Sequence, residues 1–397
     1  MSQLGYMEKL LDGVEVEWTV LGDENFVEVA NSGRKPVKSS LRVPGNTPYY
    51  GANNIQDYVD GHTHDGEYVL IAEDGSSSLD RYSIQYTTGR FWANNHVHVV
   101  RGKLGLNTRY LYHYLSTVNF IPFLTGGGRA KLTKGNMIEI PIPIPCPANQ
   151  KKSLEIQAEI VRILDTFTEL TAELTAELTA RQQQYAYYRE QLLTFGERDV
   201  EWKILKEIAV FSQGIQVDTS KQLSERRDGF VRFLRIVDFV KDDEPPRYIK
   251  NPGERYIKNE GDLVMIRYGA RAAGKVFLEY DGAIANNMFQ IKLTTQEITI
   301  AYLHYYLSQQ KIYNFLNSNG GNSTIAAITF SQVGAIKIPL PNLSEQQRIV
   351  SILDKFNALT TSLTEGLPRE IELRQQQYEY YRDLLLSFPK PEVVAHD

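Results

Sequence analysis

Two stretches of this chain carry the same helical seam, and everything else has to be arranged around them. Residues Gln157 to Phe195 read QAEIVRILDTFTELTAELTAELTARQQQYAYYREQLLTF, and the pattern returns at Gln346 to Phe388 as QQRIVSILDKFNALTTSLTEGLPREIELRQQQYEYYRDLLLSF. In the first copy Ile156, Ile160, Ile163, Phe167, Leu170, Leu174 and Leu178 fall three and four residues apart. That spacing is the seam of a long helix packing on another helix. About 45 residues at ~1.5 Å each make a rod of roughly 65–70 Å. So narrow an apolar stripe cannot form a core by itself. The second copy, with Leu359 and Leu363 on its own stripe, is the expected partner.

The tetrad Thr-Ala-Glu-Leu sets Leu170, Leu174 and Leu178 at an unbroken spacing of four. Four extra residues in a three-four pattern are a stutter, which unwinds a supercoil locally and keeps the seam in place. Phe167 to Arg181 is 14 residues, whereas Phe356 to Arg374 is 18, a difference of one tetrad. Gly366-Leu367-Pro368 predicts a break in the second copy, with a new helical segment opening there, because proline is tolerated only in a first turn.

The repetition extends beyond the helices. Val16-Glu17-Trp18 returns as Val200-Glu201-Trp202, and Tyr68 to Gly75 aligns with Asp262 to Gly269. Ala93-Asn94-Asn95 matches Ala285-Asn286-Asn287, Tyr110 to Leu115 matches Tyr302 to Leu307, and Ile142 to Pro145 matches Ile338 to Pro341. The chain therefore divides into a globular unit (1–149), a helix (150–198), a second globular unit (199–343) and a second helix with its tail (344–397). Leu192-Leu193 before Val200 echoes Leu10-Leu11 before Val16, so the repeat is nearly circular. The expected fold is α+β: two globular α/β domains separated by two long antiparallel coiled-coil helices, in a pseudo-two-fold arrangement.

The net charge of −5 announces no nucleic-acid binder. Its distribution is more informative: the helical segments carry −2 and −3, the globular ones −2 and +2. Contacts to an anionic partner must come from local patches. Charges near the N-terminus replace the apolar run of a signal peptide, and no apolar stretch approaches the ~20 residues of a membrane span. A soluble, cytoplasmic protein is expected, and the single Cys146 suits a reducing compartment.

No catalytic constellation is present: no P-loop, no nucleophile elbow, no paired-histidine zinc helix. His62, His64, His96 and His98 form two His-X-His pairs, but no cysteine joins them and the second unit has no counterpart, so no metal site is expected. The polar loops suggest DNA instead. In the first unit Arg34, Lys35 and Lys38 form a basic loop, Tyr49, Tyr50, Asn53 and Asn54 surround a glycine turn, and Arg129 and Lys131 follow Gly126 to Gly128. In the second unit the candidates are Arg232, Arg235, Arg267, Arg271 and Lys275, with Ser323 and Thr324 after Gly320-Gly321. Such side chains read base edges, while hydroxyls and backbone amides hold phosphates. Tyr187 and Tyr380 lie off the helical stripe and are candidates for a partner-protein surface. The same loops would also allow a coiled-coil scaffold or adaptor with two ligand-binding domains.

A duplicated variable domain, the Thr-Ala-Glu-Leu repeats, the RQQQYxYYR run and the IPIPxP lead-in closely resemble the specificity subunit of bacterial type I restriction–modification systems. The tetrads, LLDGVEVEW at the start and FPKPE at the end resemble its IC-type branch. The resemblance implies that each globular unit is a target recognition domain for one half of a bipartite, asymmetric site in double-stranded DNA. It implies helices that set the spacer and dock two methyltransferase subunits, with restriction and motor subunits joining for host defence. S-adenosylmethionine and N6-adenine methylation would belong to the methyltransferase partners, leaving this chain without a cofactor or catalysis of its own.

Overall fold

The computed structural model describes residues 13–126, 130–241, 244–269, 272–317, 327–362 and 364–388. The chain forms two compact units, residues 1–175 with 370–397, and residues 176–369.

The first unit contains β1 (Val16–Val20), β2 (Val27–Val29), β3 (Pro44–Tyr50), β4 (Ile55–Val59), β5 (His64–Asp65), β6 (Tyr68–Ala72), β7 (Ile84–Thr87), β8 (Arg90–Ala93) and β9 (Val97–Gly102). Helices α1 (Thr108–Leu115) and α2 (Lys134–Met137) and strand β10 (Pro141–Pro145) lead into α3 (Gln150–Leu192). One sheet has the order β2-β9-β6-β7 and the other β4-β3-β8-β5, while β1 and β10 form a separate antiparallel ribbon. Among the described residues of this unit, only β3 and β8 run parallel.

The second unit begins with β11 (Glu201–Ile204), α4 (Leu205–Ile208), β12 (Ala209–Gln213), β13 (Phe230–Leu234), α5 (Val237–Val240), β14 (Arg247–Lys250), β15 (Ile257–Lys258) and β16 (Leu263–Ile266). It continues with β17 (Val276–Phe277), β18 (Gly282–Ile284), β19 (Met288–Leu293), α6 (Ile300–Leu307), α7 (Gln310–Asn317), α8 (Phe330–Gly334), β20 (Lys337–Leu340) and α9 (Leu343–Thr361). Its sheets run β12-β19-β16-β17 and β14-β13-β18-β15, with a β11–β20 ribbon and a parallel β13–β18 pair. Strand for strand, this is the order of the first unit.

Matching side chains impose the matching order. Every residue of β6 and of β16 is buried, as expected of continuous apolar runs covered on both faces. Asn107 caps α1 and Thr299 caps α6, each accepting the amide two residues into the helix proper. The hydroxyl of Tyr110 donates to the Pro143 carbonyl and that of Tyr302 to the Pro339 carbonyl, both at 3.2 Å. A fully buried glutamine on each long helix completes the frame. Gln157 accepts from the Asn107 amide at 2.8 Å and donates to the Gly105 carbonyl at 2.9 Å. Gln346 accepts from the Thr299 amide and donates to the Glu297 and Pro341 carbonyls, all at 2.8 Å.

The circular character of the repeat is visible in the cores. Leu385, Leu386 and Phe388 of α10 (Leu367–Leu386) and its exit pack with Leu21, Ile142 and Ile160 in the first unit. Leu192, Leu193 and Phe195 take the corresponding place in the second. Each unit pairs an early part of one helix with a late part of the other: Phe167 stacks on Tyr381 at 5.2 Å, and Tyr188 on Phe356 at 5.8 Å. The pairing is antiparallel. The break falls where expected: α9 ends at Thr361, Gly366 has φ +85°, and Pro368 sits in the first turn of α10. A side chain on Gly366 would put its Cβ 2.6 Å from the Ala358 carbonyl oxygen.

The seam needs two corrections. Leu170, Leu174 and Leu178 are half-buried as a stripe, but Leu164 rather than Ile163 is the fully buried neighbour of Ile160. On α9 the inward residues are Ile349, Leu353, Phe356 and Thr360; Leu359 faces solvent, because the three-four alternation there passes it by. Leu363 lies outside the described residues. Among the described residues no helix is long and apolar enough to cross a membrane.

Candidate nucleic-acid interface

In both units the ends of the parallel pair and of the central strand are tied to one another by backbone hydrogen bonds, close to the residue where the described chain resumes after a glycine-rich stretch. In the first, the Asn94 amide bonds the Tyr50 carbonyl after β3, and the Glu73 amide after β6 bonds the His96 carbonyl. The loop returns at Leu132, whose amide bonds the Glu73 carbonyl at 2.7 Å. In the second, the Ala285 amide bonds the Leu234 carbonyl, the Arg267 amide bonds the Asn287 carbonyl, and Ile328 returns to the Arg267 carbonyl at 2.9 Å. Loops at the ends of a rigid framework are where recognition residues concentrate.

The candidate side chains divide sharply here. Arg34 donates to Glu73 at 2.6 Å and to the Val97 carbonyl at 2.8 Å, and Lys131 meets the same carboxylate at 3.0 Å. Burial pushes the Glu73 carboxyl up, but Arg34, Lys131 and His98 outweigh it and hold it below its ordinary value. His98 is fully buried, donates from Nε2 to the Leu132 carbonyl at 2.8 Å and accepts the Asn31 amide at Nδ1, the pattern of a neutral ring. Burial lowers its pKa, against the pull of that carbonyl. Arg34 is therefore an internal clamp on the loop root, and Lys131, though 47% exposed, is tied to the same carboxylate. Tyr49 and Tyr50 are 1 % and 9 % exposed and belong to the core, so neither offers a ring to a base. Asn53 bridges the Gly75 carbonyl and the Ser77 amide, and Asn54 bonds its own neighbour's amide.

Lys35 and Lys38 remain exposed. Lys35 lies beside Trp92, its Nζ 6.0 Å from the ring centre, and Trp92 stacks near Tyr49 at 6.3 Å. Arg42 covers the Tyr49 ring at 4.1 Å and pairs with Asp57 at 3.2 Å. Lys35, Arg42, Tyr49 and Trp92, with Val37 and Leu41, border a cavity of about 280 Å³. Sequence reasoning missed Arg42 and Trp92; the signal was the alternation of cations and aromatics across strands distant in sequence.

In the second unit Arg235 forks onto the buried Asp238 and reaches Glu244 at 3.1 Å, so it too is internal. Arg232 lies over the Tyr280 ring at 3.9 Å, with Asp238 also 3.9 Å away. Lys275 is exposed at the mouth of a cavity of about 430 Å³ that it shares with Phe277, Ser308 and Tyr313. Arg267 is half-buried and makes no side-chain hydrogen bond or ion pair among the described residues. Arg129, Arg271, Ser323 and Thr324 lie outside the described residues.

Three of the four histidines in the His-X-His pairs make internal bonds: His64 to the Ala30 carbonyl, His98 to the Leu132 carbonyl and His96 to the Asp74 carboxylate, while His62 is exposed. On the helices, Tyr187 and Tyr380 are 61 % and 55 % exposed, off the seam as expected, each edge-on to the tyrosine that follows.

The family model for the type I restriction modification DNA specificity domain matches twice, over residues 15–181 and 197–373. The chain belongs to this family. It is a specificity subunit, the non-catalytic DNA-recognition component of a type I system. It is 46% identical to a Haemophilus influenzae protein named as a type I restriction enzyme specificity subunit, over 96% of this chain and 98% of that one. It is 35% identical, along all of both chains, to the EcoR124I/EcoR124II specificity subunit of Escherichia coli. The fold matches the crystal structure of a type I system S subunit from M. genitalium, with a TM-score of 0.60 over 96% of this specificity subunit and 98% of that chain, at 14% identity.

Proposed function

We propose that this specificity subunit reads a bipartite, asymmetric site in duplex DNA, one half per globular unit. Its helices set the unread gap and dock two N6-adenine methyltransferase subunits, which carry S-adenosylmethionine; restriction and motor subunits join through them. The Thr-Ala-Glu-Leu tetrads support membership of the IC-type branch. The observation that carries this reading is the duplicated framework with divergent side chains at equivalent strand ends. A scaffold built twice with two different surfaces is what two different half-sites require. The target adenine has to leave the stack to be methylated, and that work falls to the partner subunits.

The test is a map of N6-methyladenine across the genome of a methylation-free host expressing this chain with its methyltransferase subunit. Two short blocks around a fixed gap are expected. No new methylation from a purified, assembled complex would refute the reading. Four residues advance a helix by ~6 Å and turn it ~40° past a full revolution. Deleting Thr171 to Leu174 is therefore expected to shorten the gap and leave both half-sites unchanged; an altered half-site would refute the spacer role.

A further inference from the structure

The two units agree in backbone at the root of the glycine-rich loop and are opposite in charge there. The match of Tyr68 to Gly75 with Asp262 to Gly269 sets Glu73 against Arg267. Each follows directly on the buried central strand, and each carbonyl accepts the amide of the returning loop, from Leu132 at 2.7 Å and Ile328 at 2.9 Å. Their side chains do different things. Glu73 gathers Arg34, Lys131 and, at 3.8 Å, His98, so its charge is spent inside the unit. Arg267 has no such company: among the described residues nothing pairs with its guanidinium, and residues 318–326 of the loop, SNGGNSTIA, contain no acid.

Resting on the reading of this chain as a DNA specificity subunit, we infer that Arg267 is a DNA-contacting and specificity-setting residue of the second unit, whereas Glu73 organises the loop of the first. A guanidinium presents five donors in a planar fork and no acceptor. Its backbone is fixed at both ends of the peptide, by the Asn287 carbonyl and the Ile328 amide. The root of the side chain is thus fixed before any ligand arrives, and the fork it carries suits a paired acceptor, either O6 and N7 of a guanine or two phosphate oxygens.

The experiment uses the full chain assembled with its methyltransferase subunits. The probe is a fluorescent duplex carrying the motif that the wild-type complex methylates. Arg267→Ala is expected to weaken binding about 10–100-fold, the loss of one good charge-assisted DNA contact. Relaxed preference at one base pair of a single half-site assigns the fork to a guanine edge. Uniform weakening, with the salt dependence reduced by about one counterion, assigns it to phosphate. Arg267→Lys separates the two independently: it keeps most of the affinity if the partner is a phosphate and loses the base preference if it is a guanine. Unchanged affinity, salt slope and methylated motif in Arg267→Ala would overturn the inference while leaving the wider reading intact. A wild-type complex that binds no duplex and marks no motif would overturn both. Glu73→Gln is the control: it is expected to lower the thermal midpoint without altering the half-site that Arg267 affects, and a change in that same half-site would also refute the division of roles.

Discussion

The glutamines of the two long helices and the residues at the two loop roots sit at equally equivalent positions, yet one pair is identical and the other is reversed in charge. Gln157 and Gln346 bond to equivalent backbone groups at near-identical distances, Gln157 adding a bond to the Ser153 hydroxyl at 3.0 Å. Glu73 and Arg267 share their backbone bonds but not their side-chain partners. The helix junctions behave the same way. His113 donates to Asp165 at 2.8 Å beside Arg109 in the first unit, whereas Tyr305 donates to Asp354 at 2.5 Å in the second. What is duplicated is the set of contacts that fixes the main chain. Contacts between side chains have been rebuilt separately in each unit.

The sharpest way to break this comparison is to remove a framework glutamine. Gln157→Leu strands an amide and a carbonyl and Gln346→Leu an amide and two carbonyls, and each is expected to cost about 2–5 kcal/mol. The two losses should be similar by chemical denaturation; a large disparity would mean that the frames are not equivalent. Next comes Gly366→Ala, which forces a left-handed backbone and a contact with the Ala358 carbonyl. About 1–3 kcal/mol is expected, measured as a fall in thermal midpoint, with no counterpart in the unbroken α3.

Acid should separate the units more gently. Burial holds His64, His98 and His113 of the first unit below the usual imidazole range, and only His304 among the described residues of the second. A folded pKa below the unfolded value of 6.5 means that the unfolded chain takes up the proton first. The stability contributed by each neutral ring is present above that value and is lost as pH falls through it. Amide hydrogen exchange near pH 7.5 and near pH 5.5 is expected to show the greater loss of protection in the first unit, and equal losses would count against this account. The smallest effects belong to Tyr187→Ala and Tyr380→Ala. These are expected to change stability by less than about 0.5 kcal/mol while weakening capture of the methyltransferase subunit in a pull-down.

The fold was largely legible because its anchors repeat. Trp18 and Trp202, the two Ala-Asn-Asn turns and the proline ladders mark the duplicated framework in the sequence itself. The break at Gly366 was equally plain, since left-handed glycine followed by proline has few other uses. The interface was less legible, for a physical reason. Arg34, Lys131 and Arg235 look like surface cations in sequence, but their carboxylate partners Glu73 and Asp238 are assigned by the fold, two of the three pairings spanning 39 and 58 residues. Tyr49 and Tyr50 misled because β3 carries them inward from what reads as a turn. Leu359 misled because a heptad count ignores where the helix actually meets its neighbours.

The proline ribbons have one further consequence. Strands β10 and β20 lie at the margin of two-stranded ribbons, where exposed amides ordinarily invite another chain to add on. Pro141, Pro143 and Pro145 have no amide hydrogen to offer, and neither does Pro339. The Pro143 and Pro339 carbonyls are taken by buried tyrosine hydroxyls. The β10 and β20 edges are thereby poor templates for strand addition, which guards a protein built on a duplicated framework against swapping or polymerising through the very segments that the halves share.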